Sequence, residues 1–171
     1  MFGAPKHIVE QLRRSYPIGT RVELVRMEDK YSKLKPGDRG TVTGVDDIGT
    51  IHIDWDCGSS LGVAYGEDSC RKVLEWYKVW IVVPGTDGDG ENGPCEPTWW
   101  NDFIQASSEA DAIEKSNTKE KVSWEEPDPF GFSEKEAGVQ CPVCTEVKRA
   151  TEEEYKAWKA EMDAFPEPPF I

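Results

Sequence analysis

The sequence predicts an α+β protein of two small domains, an N-terminal helix with a small antiparallel barrel followed by an acidic α+β domain. Two observations carry this prediction. The stretch from Val45 to Leu61 alternates apolar and polar side chains between two turns, which is typical of a central strand in a small antiparallel sheet. Charge also divides the chain, because residues 1–75 have a net charge of −1 and residues 76–171 have one of −12. We therefore place the domain boundary between residues 75 and 76.

The first domain is expected to contain one helix and five short strands. Ile8, Val9 and Leu12 share one face of a helix over Pro5–Ser15, which Tyr16-Pro17 would end. The predicted strands are Thr20–Met27, Gly40–Val45, a segment ending at Trp55, Leu61–Tyr65 and Cys70–Leu74. Short strands separated by frequent turns favour an SH3-like barrel, with the helix covering an open end.

The second domain is expected to have a β-β-α-β order and a C-terminal helix. Tyr77–Val83 is the most apolar run of the chain and predicts a central strand. The pattern then predicts a strand at Trp99–Ala106, a helix at Glu109–Ser116 capped by Ser107 or Ser108, and a third strand at Lys121–Trp124. Thr151 and Glu154 predict a capping box for the last helix, whose packing face would hold Tyr155, Trp158 and Met162.

Cys141-Pro142-Val143-Cys144 is the sharpest chemical motif, because two thiolates at this spacing can bind one tetrahedral metal ion. Cys95 is the remaining thiol of the second domain, so we predict a structural Zn²⁺ held by Cys141, Cys144 and Cys95. A redox site and unreactive thiols stay open as alternatives. The redox alternative lacks the strand and following helix that such a site needs.

A partner-binding surface is predicted around adjacent tryptophans and an acidic loop. Trp99 and Trp100 would face opposite sides of a strand, so one of them should be exposed or at an interface. The loop carries Asp87, Asp89 and Glu91, which have the opening spacing of a calcium loop. The later positions of that loop do not match, which favours a solvated acidic surface.

Several function classes are disfavoured by the sequence. It contains two histidines, His7 and His52, and none of the common nucleophile, nucleotide or metalloprotease motifs, so we expect no enzyme. The acidic balance argues against direct binding to a phosphate backbone. No apolar run is long enough for a membrane span and no leader is recognisable, so we expect a cytoplasmic protein with reduced thiols.

The segments YPIGTRVELVRMEDKY and PGDRGTVTGVDDIGTIHIDWDCGSSLGVAYGEDSC carry a family resemblance, over Tyr16 to Val73. They resemble a small uncharacterised domain of phages, prophages and conjugative elements of Gram-positive bacteria. Its pattern runs GTRVxL, PGxxGTV, VDDxG, WDxGSSL and YGxD. Members often have Asn where this chain has Cys57, so an Asn-based turn interaction is absent here. No activity is established for this family, so the resemblance implies a genetic context.

That context suggests a function. Small acidic proteins of mobile elements are enriched in inhibitors of host defence, so we expect a non-catalytic, anti-CRISPR type protein in the bacterial host cytoplasm. Its partner would be a host protein with a basic nucleic-acid-binding surface, such as a type II CRISPR effector nuclease whose DNA binding it blocks. One alternative is an adaptor whose barrel binds another element protein or nucleic acid through Lys30, Lys33, Lys35 and Arg39. Another is an enzyme with an unrecognised site.

Overall fold

The computed structural model describes residues 3–85, 94, 96–127, 131, 133–135 and 140–164. The chain divides into two compact units, Met1–Leu74 and Glu75–Ile171, called here the first and second unit. Each unit has its own hydrophobic core. Among the described residues, no helix has the length and apolar character needed to cross a membrane.

The first unit contains one helix and a five-stranded antiparallel sheet. Its elements are α1 (Lys6–Ser15), β1 (Arg21–Arg26), β2 (Arg39–Val45), β3 (Thr50–Trp55), β4 (Val63–Ala64) and β5 (Ser69–Lys72). The strand order is β4-β3-β2-β1-β5, so β1 pairs with the last strand of the unit as well as with β2. The predicted helix and strands are confirmed. The closure of this sheet into an SH3-like barrel stays a prediction.

The core of the first unit follows the alternation seen in the sequence. Val22 and Leu24 of β1 are fully buried, as are Val42 of β2 and Ile53 of β3. Leu34, in the loop between β1 and β2, is buried against the same cluster. Successive strand residues point to opposite faces, so one face of each strand supplies this core.

The second unit contains β6 (Glu75–Val83), β7 (Thr98–Ala106), α2 (Glu109–Glu125), β8 (Val143–Ala150) and α3 (Glu152–Ala164). The sheet order is β7-β6-β8, with both pairs antiparallel, so the predicted central strand is confirmed. The predicted third strand at Lys121–Trp124 is wrong, because α2 continues through those residues. The β-β-α-β order holds with Val143–Ala150 as the third strand.

The two faces of this sheet are covered by different helices. Tyr77, Val79 and Ile81 of β6 point to one face and form a buried cluster with Ala106 and Ala112, the latter from α2. On the opposite face, called here the α3 face, the ring of Tyr155 stacks on Trp76 at a centroid distance of 3.7 Å.

The helix starts of the second unit agree with the sequence analysis. Ser108 caps α2, since its hydroxyl accepts a hydrogen bond from the N–H of Asp111. Thr151 and Glu154 form the predicted capping box: each side chain accepts a hydrogen bond from the other residue's backbone N–H.

Candidate functional site

Arg21 is the centre of the polar network in the first unit. It is only 4% exposed, although its alternation with Val22 along β1 predicts that it lies on the polar, solvent-facing side of the strand. Its Nη1 and Nη2 donate to the two carboxylate oxygens of Asp56 at 2.9 and 2.6 Å, and Nη1 also donates to Thr41 Oγ1 at 2.8 Å. A bidentate pair of this kind is strong and geometrically specific. The GTR, GTV and WD segments of the resemblance therefore meet in one structural contact.

Two further motif aspartates hold turns. The Asp46 carboxylate accepts hydrogen bonds from the N–H groups of Ile48 and Thr50, and lies 3.3 Å from Nε2 of His52. Burial opposes ionisation of Asp46, but these hydrogen bonds outweigh it and hold its pKa below the usual value. Asp68 accepts in the same way from the N–H groups of Glu28 and Ala64. Asp46 and Asp68 therefore stabilise turns of the first unit by accepting backbone hydrogen bonds.

A cavity of about 850 Å³ in the first unit lies between the β1–β2 loop and the turn after β3. Several polar groups around it are already used: Asp38 accepts from the N–H of Lys35, and Ser59 accepts from that of Leu61. Within the described part of the chain, the exposed ammonium groups of Lys33 and Lys35 form no ion pair. The cavity is lined by Asp29, Tyr31, Ser32, Lys33, Leu34, Lys35, Asp38, Cys57, Gly58, Ser59, Ser60 and Leu61.

The CxxC motif leads into β8. Cys144 packs against the core of the second unit, its N–H donates to Asn117 Oδ1 at 2.7 Å, and its thiol lies 3.4 Å from the carbonyl oxygen of Glu146. Burial raises the pKa of the Cys144 thiol, which favours its protonated form. Cys141 is half-buried just before the strand.

The third predicted zinc ligand, Cys95, lies outside the described residues. Thr98 pairs with Val83 and Val143 pairs with Val82, so the chain enters β7 and β8 at the same end of the sheet. Among the residues that the structure describes, no group of three His, Cys, Asp or Glu side chains could hold a metal ion. The zinc site stays a prediction.

Of the two adjacent tryptophans, Trp99 is the exposed one. Its side chain is 70% exposed, whereas Trp100 pairs with Ile81 and packs against the core. Successive residues of a strand point to opposite faces, so one of these tryptophans faces the core and the other faces solvent. The acidic loop residues of the predicted surface, Asp87, Asp89 and Glu91, lie outside the described residues.

Strand register arranges the α3 face in rows. Val82 pairs with both Trp99 and Val143, and paired residues project to the same face, so these three side chains form a row across the sheet. We call Trp99, Val82 and Val143 the terminal row. The row beside it holds Asn101, Trp80 and Glu146.

Helix α3 covers the other end of this face. Tyr155 stacks on Trp76, and Trp158 packs against Phe103 with ring centroids 5.2 Å apart. A cavity of about 370 Å³ between α3 and the strands reaches as far as Asn101. The terminal row stays open, since Val143 is 40% exposed and Trp99 more so.

Most cations of the second unit are already bound to its own carboxylates. Its nine lysines and arginines compare with 22 acidic residues over Glu75–Ile171. Six of the nine form ion pairs within the described residues: Lys115–Asp111, Lys119–Asp102, Lys135–Glu125, Arg149–Glu75, Lys156–Glu152 and Lys159–Asp163. Lys78 instead places its Nζ over the ring of Trp80, 5.2 Å from the centroid. Within the described residues, several exposed carboxylates, such as Glu114, Glu146 and Glu161, form no ion pair and so carry part of the surplus negative charge.

Residues 5–73 match a family model described as Domain of unknown function (DUF4314). This match supports the uncharacterised domain family in the N-terminal half. No curated protein and no solved structure matches the chain significantly. The origin of the chain in a phage or mobile element stays a prediction.

Sequence reasoning missed Val82 and Val143 as companions of Trp99, and Tyr31 as part of the cavity. Val82 and Val143 lie 61 positions apart in the chain and meet through strand register alone. Tyr31 lies in a polar loop, and the conformation of that loop determines its 94% exposure. The aromatic ring among lysines was a signal that the sequence did contain.

Proposed function

We propose that this chain is a non-catalytic binding protein of a phage or mobile element that inhibits a host defence nuclease. Its partner is a type II CRISPR effector, and the acidic second unit covers the basic surface that receives DNA. The observation that supports this best is the charge of the second unit, since most of its cations pair internally and several of its described carboxylates face solvent without an ion pair.

The surplus carboxylates are spread over several elements. Exposed glutamates outside the ion pairs occur at Glu114 on α2, Glu146 on β8 and Glu161 on α3. A field of one sign speeds encounter with an oppositely charged surface and excludes competing polyanions from it. Such binding weakens as salt shortens the screening length to about 8 Å and below.

The test is a DNA-binding assay with a guide-loaded type II effector nuclease at two salt concentrations. We expect stoichiometric protein to block target-DNA binding, and the block to weaken at the higher salt. The triple variant Glu114→Lys, Glu146→Lys and Glu161→Lys should lose at least tenfold in inhibition. The matched control reverses three exposed carboxylates of the first unit, Glu10, Asp54 and Glu67, and should inhibit like the unaltered protein. Unchanged DNA binding at stoichiometric protein would contradict the proposal for that nuclease.

A second candidate function is favoured by the cavity of the first unit. Lys33 and Lys35 supply two cations that form no ion pair with any described residue, and Tyr31 supplies an exposed ring, a combination that suits single-stranded nucleic acid. In this alternative the chain is an adaptor of a mobile element. A labelled oligonucleotide should bind at low salt and lose binding with Lys33→Glu and Lys35→Glu, but not with Lys6→Glu on α1. Absence of binding at low salt would eliminate this candidate.

The proposed structural zinc would join the start of β8 to the segment before β7 through Cys141, Cys144 and Cys95. Metal binding would have to displace the proton that burial favours on Cys144. Protein purified without chelator should contain about one zinc per chain, and chelator should lower the stability of the second unit. A metal-free protein of unchanged stability would contradict this part of the proposal.

A further inference from the structure

We infer that the terminal row, Trp99, Val82 and Val143, is a docking surface for an arginine- or lysine-bearing segment of a basic protein. This inference rests on the proposed function and names the chemistry of its partner. It assigns the contact to one end of the α3 face of the second unit.

The row is apolar and open, whereas α3 covers the other end of the same sheet face. Tyr155 and Trp158 of α3 pack on Trp76 and Phe103, at the other end of the strands. Tryptophan is a highly buried residue on average, so a side chain that is 70% exposed on a regular strand is unusual. An exposed aromatic ring beside aliphatic side chains is the composition of a binding hot spot.

The surroundings of the row select a cationic occupant. Trp80, one row inward, already has the Nζ of Lys78 over its ring at 5.2 Å, so this face accommodates a cation on an indole. Glu146 is paired with Trp80 in the same row and is exposed. An arginine side chain could lay its planar guanidinium on Trp99 and its methylene groups on Val82 and Val143, with the Glu146 carboxylate in the neighbouring row.

Charge also argues against other occupants. A second copy of the chain would bring together two molecules that each carry a net charge of −13. A phosphate-bearing ligand would meet a unit, Glu75–Ile171, whose net charge is −13. A basic, partly aliphatic protein segment satisfies both the apolar row and the acidic field.

The experiment follows the indole N–H signal of Trp99 by NMR in the full chain, assigned through its loss in Trp99→Phe. The probes are a short peptide of arginine, leucine and glycine and a matched peptide in which glutamate replaces arginine. We expect the arginine peptide to shift the Trp99 signal saturably and the glutamate peptide to leave it in place. Trp99→Ala should weaken binding of the arginine peptide about tenfold or more, as expected for a hot-spot residue. Ile113→Ala, which removes an exposed apolar side chain of α2, should leave binding unchanged.

Three results would overturn the inference. Equal affinity of Trp99→Ala and the unaltered chain would show that the row does not bind the peptide. A dimer that Trp99→Ala dissociates would make a second copy the occupant. A shift of the Trp99 signal on removal of residues 165–171, without peptide, would make the C-terminal segment the occupant.

The inference and the proposed function can fail separately. If the nuclease is not inhibited but the arginine peptide binds through Trp99, the docking surface stands and the proposed inhibitor falls. If the nuclease is inhibited equally by Trp99→Ala, and the peptide binds Trp99→Ala as well as the unaltered chain, the inhibitor stands and the docking surface falls.

Discussion

The two units of this chain use carboxylates in opposite ways. In the first unit, Glu23 lies between Arg71 at 2.6 Å and Arg39 at 3.4 Å, and the hydrogen bond from Arg71 is the main reason that its pKa is lowered. Asp46 and Asp56 likewise hold a turn and a buried arginine. In the second unit, carboxylates outnumber cations more than two to one, and in the described part several exposed ones, such as Glu114 and Glu161, form no ion pair.

These carboxylates of the first unit therefore stabilise its fold, whereas several of those described in the second unit are available to bind a partner. The recognisable motifs lie in the unit where polar side chains are used for folding, so a match to those motifs reports the fold of that unit. The second unit, which lies outside the matched family domain, has the open terminal row and the excess of negative charge. Binding function is therefore better sought in the second unit, and each prediction below tests that division.

The largest effect is expected from Asp56→Ala. Removing this carboxylate leaves the buried Arg21 guanidinium without its bidentate partner, which should cost about 3 kcal/mol of unfolding free energy in the first unit. Asp47→Ala is the matched control, since Asp47 pairs with Arg13 at the surface and should cost about 0.5 kcal/mol or less. Hydrogen exchange of the amides in each unit measures both. Similar small losses for the two variants would show that the motif network does not stabilise the fold.

Gly40→Ala tests the packing of the same unit. A Cβ at Gly40 would lie 2.6 Å from Ile53 Cγ2 and 2.8 Å from the carbonyl oxygen of Asp54, so β2 and β3 would have to separate. We expect a loss of about 2 kcal/mol, within the usual range for overpacking. Gly44→Ala on the same strand has no atom within 4 Å of the added carbon and should change stability little. Urea unfolding of both variants makes the comparison, and a tolerated Gly40→Ala would contradict the close approach.

Ser108→Ala should destabilise the second unit by about 1 kcal/mol, because the N–H of Asp111 loses its capping acceptor. Ser123→Ala removes an exposed hydroxyl from the interior of the same helix and should be neutral or slightly stabilising. Slow-exchanging amides in α2 report the difference. Inhibition of the nuclease should be retained by both variants if the acidic surface, and not global stability, determines binding.

The smallest effect is expected from Glu120→Gln, which should stabilise the second unit, whereas each preceding test variant should destabilise the unit it alters. Glu120 is 8% exposed, and burial raises its pKa above the ordinary 4.5, helped by Asp102 and Glu134 and opposed by Lys119. The folded state therefore takes up a proton before the unfolded state as pH falls, so this group costs stability at neutral pH and stops doing so in mild acid.

Glu120→Gln should accordingly stabilise the second unit at pH 7, and the advantage should vanish below about pH 4.5. Glu114→Gln removes the same charge from an exposed position of α2 and separates this local effect from the change in net charge. Denaturation midpoints of both variants and the unaltered chain, measured at several pH values, show whether this advantage disappears in acid. An advantage of Glu120→Gln that does not depend on pH would exclude burial of the carboxylate as its cause.

The sequence predicted those parts of the fold that local patterns determine. Strict alternation located Val22 and Leu24 in the first core. Side-chain chemistry limited the cap of α2 to Ser107 or Ser108, of which the structure uses Ser108, and located the Thr151 capping box. Adjacency on a strand also predicted that only one of Trp99 and Trp100 would face solvent.

Two features defeated pattern reasoning in the second unit. A register shift near Thr145 places Cys144 and Val147 against the same core although they are three positions apart, so β8 has no alternation of period two. In α2 the buried positions recur every four residues, at Ala112, Ser116 and Glu120. Two of these are polar, so hydrophobic periodicity could not show that the helix continues past Ser116.

The candidate site was predictable in composition and not in geometry. Trp99 and the charge of the second unit were evident in the sequence. The terminal row depends on pairing between strands that are distant in the chain, and the burial of Arg21 depends on Asp56, 35 positions away.

The position of β6 in its sheet has a consequence for synthesis on the ribosome. The most apolar strand of the protein is made before both strands that pair with it, and β8 begins 60 residues after β6 ends. At roughly 5 to 20 residues per second, one edge of that strand waits about 3 to 12 s for its partner. During that interval the nascent chain presents a hydrophobic strand with one unpaired edge, so chaperone binding at Tyr77–Val83 is expected during expression.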